Sequence, residues 1–386
     1  MTEGEFSPLV SMENSVSDQP SRLSPLDAVH VAAGAAFTDF AGWKMPVRYG
    51  SDLAEHETVR TSAGLFDLSH MAEFIVEGTH AAQFLDYALA GQASVIAPGR
   101  AKYSLLLAES GGILDDLVVY RLDDQRFLVV ANAANHDVVA EALTERQADF
   151  DVAVSDETDT CALIAVQGPD ALAVLGRIEK LVLPEPLAFG DLKYYSIAEG
   201  FYGETPTLIA RTGYTGEDGF ELYLDNAVAP ALWAELVAAG AVACGLAARD
   251  TLRLEAGMPL YGHELSTDTF PVQAGIGRVV ALGKPGDFVG RAAVEAGPFA
   301  DARVLVGLVA EGKRAGRAGY PVLRDGAVVG EVTSGALSPT LGLPVAMAYV
   351  DPDASAVGTE LALDVRGTAI PARVVPLPFY SRKAAS

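Results

Sequence analysis

The sequence predicts an α+β protein, with a body of mixed or antiparallel sheets interleaved with helices and a small all-β region of barrel type after it. Three observations carry that prediction. Up to about residue 300, helical and strand-like segments alternate irregularly and the strands are joined by short turns, which suits antiparallel or mixed sheets better than a doubly wound parallel one. From about residue 301, short β-prone runs follow one another with no helix between them. At 386 residues the chain exceeds one ordinary core, so at about 150 residues per domain two or three units are expected. The expected division is a disordered leader over 1–23, a body over 24–300 made of two intertwined α+β units, and a β-barrel domain over 301–386.

Taken in order, the first stretch is rich in Ser, Glu, Asp and Pro and has no basic segment followed by an apolar block, so it reads as a leader and not as a signal peptide. Ser24-Pro25 precedes a helix-compatible run over 26–33. The FAGWKM segment, 40–45, reads as a packed loop, and 52–62 as a charged helix. Apolar alternation gives a strand over 72–76, and a helix follows over 79–90. Strands are expected over 103–107, 113–121 and 127–130, joined by Ser110-Gly111-Gly112 and by 122–125. A helix over 135–148, a strand over 162–166 and a helix over 170–178 come next, and helices over 231–239 and 246–256 close the body. The barrel strands are expected over 305–309, 320–323, 328–333, 345–350, 360–365 and 369–374, with Asp325-Gly326 and Arg366-Gly367 at turns.

Composition removes several classes of function. The formal net charge is -24 with no run of Lys and Arg, which argues against a nucleic-acid partner. Cys161 and Cys244 are the only cysteines, too few for a Cys/His metal spacing; they read as buried core residues in a reducing cytoplasm. The most apolar stretch, 227–248, contains Pro230, Glu235, Gly240 and Gly245 and reads as a helix and turn, not a membrane span. No phosphate-cradling loop, dinucleotide fingerprint, nucleophile elbow or H-E-x-x-H zinc motif is present.

Three stretches stand out as candidate chemistry. In 208–224, LIARTGYTGEDGFELYL, two β-prone runs flank an acidic turn with a glycine at each end, the signal of a hairpin. With Glu217-Asp218 at the tip, Thr215 pairs with Phe220 and Tyr214 lies opposite Glu221. Phe220, Leu222 and Leu224 then face a core, while Tyr214, Glu221 and Tyr223 share the other face. Two readings of that second face stay open: a solvated edge, or a pocket wall that accepts hydrogen bonds from a flat, donor-bearing ring. Asp115 and Asp116 open an apolar strand, and adjacent strand residues point to opposite faces. Either one carboxylate faces a cavity or both lie in a solvated turn. Arg249 and Arg253 stand four apart in 246–256, beside Asp250, for structural ion pairing or for an anionic or carbonyl-bearing ligand. Of the histidines, His70 alone sits in a suggestive turn, and a lone histidine is usually structural.

Together these residues resemble the T-protein (aminomethyltransferase) family of the glycine cleavage system. The matching segments are Phe40-Ala41-Gly42-Trp43, GLFDLSHM over 64–71, 111–116, 211–221, 245–257, Asp287-Phe288-Val289-Gly290-Arg291, Val332-Thr333-Ser334-Gly335 and Pro378-Phe379-Tyr380. None is specific alone; their joint order from about 24 to 381 is. The resemblance implies three domains arranged like a cloverleaf around a tetrahydrofolate. It implies Asp116 as the catalytic carboxylate, Glu221 and Arg249 as folate ligands with Tyr214 in the same pocket, and Met71, Tyr103, Asn132 and Tyr380 as further pocket residues.

The implied reaction moves a one-carbon unit from the S-aminomethyl-dihydrolipoyl arm of the small H protein to tetrahydrofolate, releasing ammonia and leaving the carbon between N5 and N10. H proteins of the family are acidic, so a chain at -24 needs a local basic patch to receive one, expected from Lys44, Arg48, Arg278 or Arg291. Two competing readings keep folate: a demethylase of the same fold, and a non-enzymatic iron–sulfur assembly factor. The latter carries a KGCYxGQE-type motif with a cysteine, and the matching stretch here, 284–291, has none.

Overall fold

A computed structural model describes residues 22–382. The expected leader lies outside the described residues except for Arg22 and Leu23, which form a short strand parallel to Trp43–Arg48. Two larger sheets and a closed barrel make up the rest. The chain begins one sheet with Gly64–Asp67 and crosses to the other for Ala72–Glu77, Arg100–Leu107, Ile113–Arg121, Arg126–Ala131 and Ala153–Asp156. It then returns to the first with Cys161–Gln167 and stays there through Ile197–Tyr202, Thr205–Ala210 and Gly219–Asp225. The five-stranded sheet is antiparallel throughout; the seven-stranded one is antiparallel except for the edge pair Val242–Ala243 and Gly64–Asp67.

Period-two alternation sorts the side chains. Phe220, Leu222 and Leu224 enter a core under the helices Ala171–Leu175 and Ala229–Ala238, while Phe74, Val76, Leu117 and Val119 enter a second core under Ala81–Ala88 and His136–Arg146. The opposite faces of both sheets meet in a third layer that contains Phe66, Tyr120, Leu128, Leu163, Tyr223 and Leu252. Strands over Val304–Ala310, Pro321–Arg324, Ala327–Leu337, Pro344–Val350, Glu360–Val365 and Thr368–Val375 close the C-terminal barrel around Leu308, Val322 and Val350.

Two local expectations fail. Residues 40–45 are not a loop: Ala36–Phe40 and Trp43–Arg48 form a hairpin whose two-residue turn, Ala41 (φ 52) and Gly42 (φ 79), takes the left-handed conformation that matches strand twist. The hairpin over 208–224 is also wider than predicted. Ala210, not Tyr214, lies opposite Glu221, and 211–218 is a broad loop. The Gln167 side chain occupies the space a tight turn would need. It bonds the Thr212 carbonyl (3.0 Å) and Thr215 (2.9 Å), and a Cβ at Gly213 or Gly219 would come within 2.0 or 2.3 Å of it. Arg211 and Asp218 then close the loop as a bidentate pair at 2.9 and 2.6 Å. Short strands at 153–156, 181–182, 197–202 and 242–243 are additional to those read from the sequence.

The helix Leu246–Glu255 joins these parts. Gly245 precedes it because a Cβ there would meet the Val47 backbone at 2.3 Å. Leu254 packs on Ala336, Val345 and Met347 of the barrel. Buried Glu255 accepts from Arg60 (2.8 Å), Thr340 (2.7 Å) and Ser338, with His56 at 3.2 Å. Burial raises the Glu255 carboxyl, but His56, Ser338 and Thr340 overcome it and bring it down to about 2. A carboxyl depressed on folding stabilises the protein above its ordinary value and loses that contribution as pH falls toward about 2. Glu255→Gln is expected to cost on the order of 3 kcal/mol at pH 7. The gap in melting temperature from wild type should shrink steadily between pH 5 and pH 2; a gap independent of pH would show that this pairing is not linked to folding.

Candidate functional site

The layer between the two sheets supplies the site. Asp116 shares a strand face with Val118 and Tyr120, whereas Asp115 points the other way and is fully buried. Both carboxylates lie within the strand, which removes the reading that puts them in a solvated turn, and they leave it on opposite sides while sharing Asn132 as a donor. Asp116 Oδ2 accepts from the Tyr103 hydroxyl at 2.9 Å, and Oδ1 from the Asn132 amide at 2.9 Å. Asn132 also bonds Asp115 Oδ1 at 2.8 Å, and Asn135 bonds the same oxygen at 2.6 Å. Burial pushes Asp116 up to about 6 against the hydrogen bonds from Tyr103 and Asn132. Burial pushes Asp115 up to about 7, and the adjacent Asp116 adds to it. Both groups titrate near neutrality, where a group that must take and return a proton is most useful.

On the facing sheet, Glu221 is held by one oxygen. Its Oε2 accepts from Thr212, from Tyr120 (3.1 Å) and from Tyr223 (3.5 Å), while Oε1 has no protein partner among the described residues. The free acceptor is therefore one oxygen and not the whole carboxylate edge.

The two arginines of the helix divide the alternatives read from the sequence. Arg253 is buried and fully used by Asp250 (2.8 Å), Glu264 (3.0 Å) and Ser334 (2.8 Å). Arg249 makes no ion pair or side-chain hydrogen bond among the described residues. Its guanidinium lies 4.9 Å from the centre of the Tyr214 ring, where burial opposes its charge and Glu221 favours it. The Tyr214 hydroxyl donates to the Pro259 carbonyl, and its phenol is raised by burial and by the Asp116 charge against the pull of Arg253 and Arg249. Met71 borders the same layer.

The structure thus brings together Asp116, Tyr103, Asn132, Tyr214, Glu221, Arg249 and Met71. Tyr380 belongs to another group: its ring lies 4.0 Å under Arg60, its amide donates to the Glu255 carbonyl at 2.8 Å, and Glu217 is beside its hydroxyl. Sequence reasoning missed Thr212, Tyr120 and Tyr195. The last is a tyrosine in the left-handed region (φ 58), next to Asp116 and Glu221, and only its backbone conformation marks it out. His70 is buried with Nδ1 unpartnered, and burial holds it down at about 4, so it stays neutral behind Arg249. Cys244 is buried, as expected, and pushed up to about 12; Cys161 is only partly buried. An open cavity of about 620 Å³ beside Trp43, Ser69, Thr158 and Asn226 lies apart from all of these site residues. No helix among the described residues is long and apolar enough to cross a membrane.

Comparison with known proteins gives the family and supports the fold. The GCVT N-terminal domain model matches residues 26–284, and the model for the glycine cleavage T-protein C-terminal barrel domain matches 303–381. An aminomethyltransferase of Cutibacterium acnes is 57% identical over 366 residues, covering 94% of this chain and 99% of the relative. One from Streptomyces coelicolor is 56% identical over 371 residues, covering 94% and 98%. The crystal structure of glycine cleavage system aminomethyltransferase T from Bartonella henselae superposes with a TM-score of 0.85 at 39% identity, covering 93% of this chain and 98% of that one.

Glu73 lies in the same layer, fully buried, with neither carboxylate oxygen hydrogen-bonded among the described residues. Burial, reinforced by Asp156, pushes it well above its ordinary value, so it is held as the neutral acid. The folded state then binds the extra proton, and stability falls as pH rises above the ordinary glutamate range. Glu73→Gln should raise the melting temperature at pH 8, by about 2–4 °C for each kcal/mol relieved. That benefit should vanish at pH 4, and an equal loss at both pH values would refute the neutral form.

Proposed function

The chain belongs to the glycine cleavage T-protein family, and from that premise we propose that the layer holding Asp116, Glu221 and Arg249 is where an aminomethyl group is passed to tetrahydrofolate. The function is that of an aminomethyltransferase of the glycine cleavage system. That agreement favours it over the demethylase and the iron–sulfur assembly readings. In the proposed reaction the donor is the S-aminomethyl-dihydrolipoyl arm of an H protein, ammonia leaves, and 5,10-methylenetetrahydrofolate is formed.

The observation that supports this reading is a pair of unused groups beside a shielded carboxyl. Among the described residues Arg249 has no ion-pair or hydrogen-bond partner and Glu221 Oε1 is bare, while Asp116 is fixed by Tyr103 and Asn132. A pterin ring carries a 2-amino group and a ring N–H as donors. Glu221 accepts from that edge through Oε1, at about 1.5–3 kcal/mol for a charge-assisted bond. Arg249, over the Tyr214 ring at 4.9 Å, suits a carbonyl or carboxylate oxygen of the same substrate. Tyr103, Tyr214 and Met71 supply flat and polarisable walls.

Asp116 takes the proton that N5 releases, and its negative charge stabilises the cationic carbon that forms as the amine departs. This is the counterpart of an oxyanion hole, with the sign of charge reversed. Of the basic residues expected to receive the H protein, Lys44 is paired to Asp27 at 2.8 Å. Arg291 donates to the Leu282, Lys284 and Gly286 carbonyls and pairs with Glu295. Arg48 and Arg278 remain exposed and unpaired among the described residues and are the better candidates for that contact.

With tetrahydrofolate and aminomethyl-loaded H protein, Asp116→Asn should lower kcat by on the order of 100-fold or more while folate still binds. An unchanged rate would remove Asp116 from the chemistry, and absence of turnover by the wild type would reject the reading itself. Because the carboxylate form is required, kcat/KM should fall as pH drops through about 6 to 7. Tyr103→Phe removes a bond that lowers the Asp116 value and should move that limb to higher pH; a limb that stayed in place would assign it to another group. Glu221→Gln should weaken folate binding by about 10- to 100-fold, measured by calorimetry.

A further inference from the structure

Glu264 is a buried carboxylate that the account above leaves unused. It is fully sealed from water. Its Oε2 accepts from Arg253 and from the Leu260 amide, each at 3.0 Å, whereas Oε1 has no partner among the described residues. A bare carboxylate oxygen inside a protein costs about 1–3 kcal/mol or more, so its position needs a reason.

The turn that carries it is fastened to both halves of the site. On one side Tyr214 donates to Pro259, the residue before Leu260. On the other, the Ser266 carbonyl accepts the Ile113 amide at 3.1 Å, three residues before Asp116 on the same strand. Gly112 lies so close to this turn that a Cβ would fall 1.8 Å from the Thr267 carbonyl oxygen. Glu264 is therefore held between the Asp116 strand and Tyr214, and its charge acts on both.

Arg253 does not cancel that charge, because one guanidinium serves both Asp250 and Glu264 and the trio keeps one net negative charge. The titratable groups near Asp116 are Asp115, its strand neighbour on the opposite face, Tyr103 on the next strand, Tyr195 from the 193–196 bend, Tyr214 from the broad loop, and Tyr261 and Glu264 from the 258–266 turn. Among them Asp115 and Glu264 alone bring a second carboxylate. Asp115 is capped by Asn132 and Asn135, while Glu264 keeps an oxygen free.

We propose that Glu264 is a positioning residue of the transfer reaction, a second fixed negative charge that acts through Asp116 to hold its proton until the amine leaves and to favour positive charge at the reacting carbon. The inference rests on the reading of Asp116 as the group that accepts the N5 proton. Two folate N–H protons are lost in all, one ending on ammonia and one on the dihydrolipoyl sulfur. The amine–carbon and sulfur–carbon bonds break as the N5–carbon and N10–carbon bonds form, with no change of oxidation state. Sealed from water, Glu264 touches no substrate atom; it contributes a field that bulk solvent does not screen.

Glu264→Gln keeps an acceptor for Arg253 and Leu260 while removing the charge. In the full-length protein the acid limb of kcat/KM should move about one unit to lower pH. At pH 7.5 kcat should fall about 10-fold, with tetrahydrofolate affinity and melting temperature close to wild type. A carbon-13 titration of the Asp116 carboxyl in the folate-free protein should show the same downward shift without any turnover. A limb and a titration both unmoved in a folded variant would overturn the proposal. A shifted titration in a protein whose wild type fails to turn over would instead overturn the aminomethyl transfer reading. If Glu264→Gln does not fold, Asp250→Asn, which leaves Arg253 to Glu264 alone, should lower the Asp116 titration in the same direction, and no shift there would also overturn it.

Discussion

Arg253 is the constraint on which the rest of the structure depends. It is a fully buried cation whose partners come from its own helix, from the turn after it and from the C-terminal barrel. Desolvating a guanidinium is so costly that no partner can leave without exposing the others to an unpaired buried charge, a loss of about 3–5 kcal/mol. One turn back on the same face stands Arg249, and on the opposite face Glu255 gathers Arg60, His56, Ser338 and Thr340. The helix Leu246–Glu255 therefore cannot slide or rotate without breaking ionic contacts on both sides. That is what fixes the unpaired Arg249 over Tyr214 to the accuracy a binding site needs.

A second constraint is the pleat. Because side chains alternate, each sheet offers one face to its own helices and the other to the facing sheet. The shared layer would be an ordinary core were it not for Glu73, Asp116 and Glu221, which interrupt it with carboxyl groups. Tyr120 and Tyr223 stand between these acids and the aliphatic packing, and their hydroxyls satisfy Glu221 while their rings continue the core. Asp116, Tyr103 and Glu221 thus stand on strands, Arg249 on a helix and Asn132 just past a strand end, and the broad 211–218 loop supplies only Thr212 and Tyr214. That loop is itself fastened by Gln167, by Arg211 with Asp218, and by Arg60 with Glu217.

Much of this was legible in the sequence, for reasons that differ by residue. The barrel strands and the ILDD strand could be read because their turns are short and their alternation is regular. Arg249 and Arg253 could be located on one helix face, but spacing could not say which was committed, since that depends on Glu264 and Ser334 from distant segments. The register of the 208–224 hairpin was misread because its turn is set by the Gln167 side chain on a neighbouring strand, which no local pattern announces. Residues 40–45 were misread because Ala41 takes a left-handed conformation usually left to Gly, Asn or Asp. Tyr195 carries no sequence signal, and Glu264 sits in a stretch of ordinary polar residues. Both matter only through what the fold places beside them.

The division between satisfied and unsatisfied groups is the most direct guide to where a ligand belongs. Arg60, Arg146, Lys284 and Arg291 each spend their donors on carbonyls or carboxylates of the chain. Their charges are consumed in holding segments together. Arg249 is set apart from them, because it is partly buried and has no ion pair or side-chain hydrogen bond among the described residues. A half-buried cation and one bare oxygen of Glu221 that do not pair with each other gain less from the fold than a closed ion pair would. The aromatic ring of Tyr214 beneath the guanidinium and the hydroxyls on Glu221 Oε2 hold the two apart. A donor and an acceptor kept apart in this way is the feature on which the proposed folate site rests.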